Sequence, residues 1–134
     1  MVEFNESLTE YIRKHRTAVL ATNRKSGPPQ LTLISYNFDG KDFAISTRGE
    51  SVKAKNIVRR PDVCLGIIDG GQQLMVYGKA RVVREPADVL NLTKGRLGGG
   101  RESEAELAER LQREGRVVIV LTPEHYFPER LRAP

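Results

Sequence analysis

The sequence predicts a mainly β fold with peripheral helices, of the α+β class, built on a small six-stranded antiparallel barrel. Short apolar or alternating runs are separated by Gly, Pro and Asp-Gly turns, which is typical of antiparallel hairpins. The runs do not alternate regularly with helical patterns, so a doubly wound parallel sheet is not expected. The length of 134 residues predicts one domain over 1–134, large enough to bury a proper core.

The first half of the chain is predicted to form one helix and three strands. Residues 5–15 carry apolar side chains at helical spacing behind a polar capping residue. Residues 17–22 are a short apolar run and residues 30–38 alternate between two faces, so both are predicted strands. Asp39-Gly40 is a strong hairpin signal and leads to the third strand, residues 42–47.

The second half is predicted to add three helices and three strands. Pro61 ends the first of these helices and Pro86 begins the second, while Ser103 and Glu106 have the spacing of a capping box. Gly78 marks a bend or bulge within a long strand. The predicted helices are 50–59, 86–92 and 103–114, the strands are 62–68, 74–83 and 116–122, the glycine-rich linker is 94–101, and a basic tail is 123–134.

The charge balance favours an anionic partner. Lys and Arg number 22 against 17 Asp and Glu, for a net charge of +5. Nucleotides, phosphorylated cofactors and nucleic acids all fit that balance. Tryptophan is absent, aromatic residues make up 6% of the chain, and no helix-turn-helix pattern is present, so we expect no nucleic-acid partner.

Cysteine content and hydropathy restrict the class further. Cys64 is the single cysteine, which excludes an intramolecular disulfide and a zinc cluster, and we expect it to be a small buried hydrophobe. No apolar run approaches the roughly 20 residues of a membrane helix, and the N-terminus lacks the features of a signal peptide. We therefore expect no membrane partner and a cytoplasmic protein.

The most informative segment is Ser46–Pro61, where a strand leads into a short helix. A helix N-terminus has unpaired N–H groups and a partial positive charge, so it is suited to an anion. Arg48 and Lys53 flank this junction and add full charges. The sequence therefore predicts a phosphate site at the junction.

The sequence offers few acid–base groups of its own. His15 ends the first helix, where a cation interacts favourably with the helix dipole. His125 is predicted to line a pocket or to pack, and neither histidine has a neighbouring acid or nucleophile typical of a hydrolase. An enzyme with this sequence would depend on a cofactor for its chemistry.

The order of these segments resembles a known family. Ala18–Thr22, Gln30–Tyr36, Ile45–Thr47, Lys53–Pro61 and the later Gly78 follow one another as in the pyridoxamine 5′-phosphate oxidase-like (PPOX class) superfamily. Its members have the FMN-binding split β-barrel fold. Within the superfamily, the sequence is most similar to the branch that binds the deazaflavin coenzyme F420.

This resemblance implies a homodimer with two cofactor sites at the subunit interface. It implies that the cofactor phosphate is bound where the third strand meets the short helix, and that the ring lies against the second strand. The residues implied for the phosphate are Ser46, Thr47, Arg48, Ser51, Lys53 and Asn56, those for the ring are Gln30, Leu31, Thr32 and Leu33, and those closing the site from the partner subunit are Gln72 and Gln73.

The implied function is an F420-dependent oxidoreductase that transfers hydride between the coenzyme and a small organic acceptor. Two alternatives stay open: an FMN-dependent enzyme on the same barrel, and a non-catalytic F420-binding protein. Several relatives have Arg two residues before the motif lysine, where this chain has Ser51. The coenzyme's oligoglutamate tail is expected to contact cations, for which Arg24, Lys25, Arg59 and Arg60 are candidates.

Overall fold

A computed structural model describes residues 2–94 and 102–132 of the chain. Their fold is an antiparallel sheet with four helices, so the predicted class is confirmed. The helices are α1 (Glu6–Lys14), α2 (Val52–Arg59), α3 (Pro86–Thr93) and α4 (Glu104–Arg113). The strands are β1 (Thr17–Thr22), β2 (Gln30–Ser35), β3 (Asn37–Phe38), β4 (Phe43–Arg48), β5 (Asp62–Asp69), β6 (Gln72–Val83) and β7 (Arg116–Phe127).

The sheet curls into a split barrel. Its spatial order is β2-β1-β5-β6-β7-β4-β3, and every neighbouring pair is antiparallel. Strands β2 and β3 lie at opposite edges of this order, yet only Tyr36 separates them along the chain. The two edges must therefore meet at Tyr36, which curls the sheet around its core.

The prediction of six strands is wrong, because the described residues form seven. The predicted strand 30–38 is divided at Tyr36 into β2, which pairs with β1, and β3, which pairs with β4. The Tyr36 ring is buried, and its hydroxyl donates to the Ile12 carbonyl at 2.5 Å. The chain thus leaves one edge of the sheet at Tyr36 and joins the other.

The last strand is longer than predicted, so part of the expected basic tail belongs to the sheet. β7 continues through Pro123 to Phe127, and the register between β6 and β7 shifts at Tyr77 and Gly78. A Cβ on Gly78 would lie 2.1 Å from the Thr122 carbonyl oxygen. The missing side chain allows the two backbones this close approach, and the predicted irregularity at Gly78 is confirmed.

The helix signals in the sequence are confirmed by their caps. The Asn5 side chain accepts from the Leu8 N–H at 2.9 Å at the start of α1. Ser103 and Glu106 form both hydrogen bonds of a capping box at the start of α4. The predicted linker 94–101 lies outside the described residues, except for Lys94.

Two apolar cores hold the helices and the sheet together. The larger one fills the barrel and includes Leu20, Phe43 and Leu65, with α1 covering one end. The smaller one lies between α3, α4 and the other face of β4, β6 and β7. The β4–α2 junction therefore stands beside a helix pair on one side and the barrel on the other.

Candidate functional site

The β4–α2 junction has the local geometry of an anion site. Ser51 caps α2, and its Oγ accepts from the Ala54 N–H at 3.2 Å. The N–H groups of the first helical turn that precede Ala54, those of Val52 and Lys53, have no partner within the helix. The first turn of α2 contains no acidic residue, so no side chain of that turn offsets the positive end of the helix dipole.

A cavity opens at this junction, and we name it the junction cavity. Its volume is about 400 Å³, within the range of small-ligand sites. Four residues predicted for the phosphate line it together with two that were not predicted. The lining residues are Thr47, Arg48, Glu50, Ser51, Lys53 and Arg116.

Three cations and one carboxylate, Glu50, line the junction cavity, so positive charge is in excess there. Burial lowers the pKa of Lys53, and the nearby positive charge of Arg116 lowers it further. Arg48 and Arg116 are direct register partners on β4 and β7. Among residues 2–94 and 102–132, no carboxylate pairs with Arg48 or Lys53. A bound anion would relieve the repulsion between these side chains.

Sequence reasoning missed Arg116. It reads as the polar start of the last strand, and it reaches the site only because β7 pairs with β4 across the barrel. Its Nε donates to Glu114 Oε1 at 3.0 Å, which fixes the guanidinium at the cavity wall. No local sequence signal reports a pairing between segments about seventy residues apart.

Asn56 is not among the residues that line the junction cavity. It is 1% exposed, and its Nδ2 donates to Thr22 Oγ1 at 3.0 Å and to Gln30 Oε1 at 3.4 Å. Its Oδ1 accepts from Arg59 Nη2 at 2.7 Å. Asn56 therefore connects α2 to β1 and to the start of β2, and so places the predicted phosphate and ring sites side by side.

Ser46 also lies away from the junction cavity. It shares a face of the sheet with its register partner Val118, which belongs to the core under α3 and α4. Thr47 points the other way, is 4% exposed and lines the cavity. The structure thus brings Thr47, Arg48, Ser51 and Lys53 together and separates them from Ser46.

The predicted ring site, β2, is an edge strand with one free side. Among the described residues it pairs only with β1, so alternate N–H and C=O groups along its other edge are open to a ligand. Thr32 is half-buried, whereas Leu31 and Leu33 are 67% and 74% exposed. The predicted two-faced pattern of this strand is confirmed.

Gln72 and Gln73 lie at the β5–β6 turn, at the opposite end of β5 from α2. The Gln72 amide exchanges two hydrogen bonds with the backbone of Arg132, at 2.6 and 3.0 Å. Gln73 is exposed and pairs with Ile68. Neither lines the junction cavity of its own chain, so a role there requires a second subunit.

Five neighbouring strands present an apolar surface on the side away from the barrel core. We name it the outer face. Register partners run across it in two rows, and the exposed fractions of Leu33 and Phe127 are 74% and 61%. The first row is Leu33, Val19, Gly66, Met75 and Phe127, and the second is Leu31, Ala21, Cys64, Tyr77 and His125.

The remaining chemistry-bearing side chains are engaged within the fold. His15 Nδ1 lies 2.7 Å from the Tyr11 carbonyl and its Nε2 lies 2.9 Å from Asp69 Oδ2. His125 stacks on Tyr77 with ring centroids 4.8 Å apart. Cys64 is half-buried on the outer face rather than fully buried, and its partial burial raises the pKa of its thiol.

Metal-ligating clusters and membrane-spanning helices are absent from the part of the chain that the structure describes. No group of three or more His, Cys, Asp or Glu side chains there is placed to hold a metal ion. No helix within those ranges combines the length and the apolar character needed to cross a bilayer.

Comparison with known proteins identifies the family. Residues 4–128 match the family model described as pyridoxamine 5′-phosphate oxidase. No curated protein matches the chain. The conserved hypothetical protein Rv2991 from Mycobacterium tuberculosis is similar in structure, with a TM-score of 0.77 and 24% identity over 94% of this chain and 84% of that one.

Two further solved structures are similar. General stress protein 26 from Bacillus anthracis has a TM-score of 0.69 and 18% identity, over 91% of this chain and 90% of that one. A protein named F420 reductase has a TM-score of 0.60 and 26% identity, over 86% of this chain and 90% of that one. Because the family model matches nearly the whole chain and the curled antiparallel sheet agrees with it, this protein belongs to the pyridoxamine 5′-phosphate oxidase family of split β-barrels.

Proposed function

We propose that this protein is an oxidoreductase that binds coenzyme F420 and transfers hydride between its deazaflavin ring and a small organic acceptor. The observation that carries the proposal is the junction cavity, where Arg48, Lys53 and Arg116 surround the open end of α2. Further along α2, Asn56 hydrogen-bonds to Gln30 at the start of β2, the strand with the free edge. A phosphate site next to an open strand edge suits a phosphorylated, planar cofactor.

The electrostatics of the junction cavity support phosphate as the bound group. Lys53 is partly desolvated and repelled by Arg116, so its ammonium group lacks a counter-charge. Arginine adds forked N–H donors that match phosphate oxygens, and the first-turn N–H groups of α2 add neutral donors. A phosphate there would raise the pKa of Lys53 and restore the charge balance. Ser51, which replaces the arginine of several relatives, acts as the helix cap instead.

The choice of F420 over FMN is supported by two observations. A similar solved structure, at 26% identity, is named F420 reductase. The junction cavity also carries three cations, of which Arg48 and Lys53 have no carboxylate partner among the described residues, while Arg116 pairs with Glu114. A coenzyme with a phosphodiester and several carboxylates makes fuller use of them.

The chain's own residues bind, orient and shield in this proposal. Once bound, the deazaflavin supplies the hydride chemistry, so the protein needs no acid–base pair of its own. The free N–H and C=O groups of β2 would hydrogen-bond to the ring, and the apolar side chains of Leu31 and Leu33 would exclude water from it. Orientation and water exclusion are the contributions that this architecture can make.

We propose that the active form is a homodimer. The outer face is a wide apolar surface, and such surfaces on soluble proteins mark interaction sites. A second copy is the occupant that fits, because the face is built from paired rows that a two-fold axis can match to themselves. The rows begin at Leu31 and Leu33 on the ring strand, so a partner docked here would stand beside the ring. A dimer would also bring Gln72 and Gln73 of the partner subunit toward the site.

Cofactor titration followed by an acceptor panel tests this function. Purified protein is titrated with F420 and FMN side by side by fluorescence, and the reduced coenzyme is then offered to quinones, nitro compounds and unsaturated carbonyls. Micromolar or tighter F420 binding with turnover supports the proposal. FMN binding without F420 binding favours the FMN-dependent alternative, and tight F420 binding without turnover favours a non-catalytic binding protein.

A further inference from the structure

A second cavity, of about 420 Å³, adjoins the junction cavity. We name it the helix groove, because α3 and α4 form one side of it and the β4–α2 and α4–β7 turns form the other. Glu50 and Arg116 line both cavities. A ligand bound at the end of α2 can therefore extend into the helix groove without leaving the protein surface.

The walls of the helix groove combine an apolar side with a polar one. Pro86 and Ala108 supply the accessible part of the apolar side, next to the buried Val89 and Leu111 of the smaller core. Arg84, Gln112 and Arg116 supply hydrogen-bond donors. Such a groove suits a flexible chain whose methylene groups pack on one side while its carboxylates reach the other.

Arg84 stands at the boundary between the two cavities. A Cβ on Gly49, in the turn between β4 and α2, would lie 3.2 Å from Arg84 Nη1. The guanidinium therefore lies against the turn that leads from the groove to the phosphate site. Within residues 2–94 and 102–132 no carboxylate forms an ion pair with Arg84. Its charge is available to a ligand.

In the junction cavity and the helix groove taken together, cationic side chains outnumber carboxylates. Arg116 is compensated by Glu114, and Glu50 opposes an anion where the two cavities meet. Arg48, Lys53 and Arg84 have no such compensation among the described residues. The excess favours a ligand with more negative charge than one phosphate group carries.

We propose that the helix groove binds the carboxylate-bearing tail of the coenzyme, with Arg84 as its principal contact. This inference rests on the proposed function, and it moves the tail away from the cations that the sequence suggested. None of Arg24, Lys25, Arg59 and Arg60 lines either cavity. In the helix groove, glutamate carboxylates contact Arg84 and Gln112 while the methylene groups lie on Pro86 and Ala108.

Coenzyme preparations of different tail length test this inference. Native F420 with several glutamates and F420 trimmed enzymatically to one glutamate are each titrated against the wild-type protein by fluorescence. We expect the long form to bind several-fold more tightly. Substitution of Arg84 by Ala should reduce that preference about fivefold, the effect of one exposed charge contact. Arg84→Lys should retain part of it.

A matched control separates this contact from net charge. Arg81→Ala removes an exposed arginine from β6, three residues before Arg84 and outside both cavities, and should leave the preference unchanged. Binding of the short form by Arg84→Ala shows that the variant is folded. A preference that survives in Arg84→Ala, or equal affinities of the wild type for both forms, overturns the inference alone. No binding of either form overturns the proposed function as well.

Discussion

Substitution of Leu33 by Glu is expected to dissociate the homodimer without unfolding the subunit. Leu33 is 74% exposed in the single chain and begins one row of the outer face. Full burial of a leucine is worth about 1.5–3 kcal/mol, so the part still exposed is worth about 1–2 kcal/mol. A two-fold interface contains the residue twice, which gives about 2–4 kcal/mol and weakens dimerisation by about 30-fold to several hundred-fold.

Sedimentation equilibrium over a range of protein concentrations measures this change. Lys41→Glu is the control, since it places the same side chain at an exposed position in the β3–β4 turn, outside the outer face. The control should dimerise as the wild type does. The circular dichroism spectra of all three proteins should agree, which shows that the subunit stays folded, whereas the urea midpoint itself falls when the dimer is lost. An unchanged dimerisation constant for Leu33→Glu, or a wild type that is monomeric throughout, would refute the reasoning.

Three further predictions concern Lys53 in the junction cavity, Gly78 at the register shift between β6 and β7, and Tyr36 between β2 and β3. Because the pKa of Lys53 is lowered, coenzyme affinity should begin to fall at a pH below the pKa of an ordinary lysine. Lys53→Arg should move this loss of affinity to higher pH. Lys53→Ala should weaken binding about 10- to 100-fold at neutral pH, and fluorescence titration measures both variants. Gly78→Ala should lose about 2–4 kcal/mol in urea unfolding because its Cβ would meet the Thr122 carbonyl, whereas Gly71→Ala, with open space around it, should stay within about 0.5 kcal/mol. Tyr36→Phe should cost about 1–3 kcal/mol in the same assay, because it leaves a buried carbonyl of α1 without its donor.

Local signals in the sequence predicted the helix starts and the hairpin turn well. Ser51, Ser103 and Asn5 cap their helices through contacts three residues away, so the information lies within a single turn. The Asp39 side chain accepts from two backbone N–H groups, at 2.8 and 2.7 Å, and closes the predicted hairpin turn. These features need no knowledge of the rest of the fold.

The features that sequence reasoning missed depend on long-range pairing. Tyr36 looks like one more position in an alternating strand, and only closure of the barrel makes it the point where β2 ends and β3 begins. Pro123 looks like a strand breaker, and only Gly78 opposite allows β7 to continue past it. Arg116 joins the site through the β4–β7 pairing. Register across the sheet decides all three.

The residues of the candidate site also divide into those that are close in the sequence and those that strand pairing brings together. Thr47, Arg48, Ser51 and Lys53 are close in the chain and converge in the junction cavity. Asn56 belongs to the same helix, yet its side-chain amide donates hydrogen bonds to β1 and β2. Arg84 directly follows β6 and Arg116 begins β7, and both line the helix groove. A single sequence identifies the local part of the site, and the sheet supplies the rest.

A structure of the protein with bound coenzyme tests the central claim most directly, because it measures where the cofactor phosphate lies. The account predicts phosphate oxygens within about 3 Å of Lys53 Nζ and of at least one of the Arg48 and Arg116 guanidinium groups, at the start of α2. A phosphate bound elsewhere on the barrel, with the junction cavity empty, would contradict it.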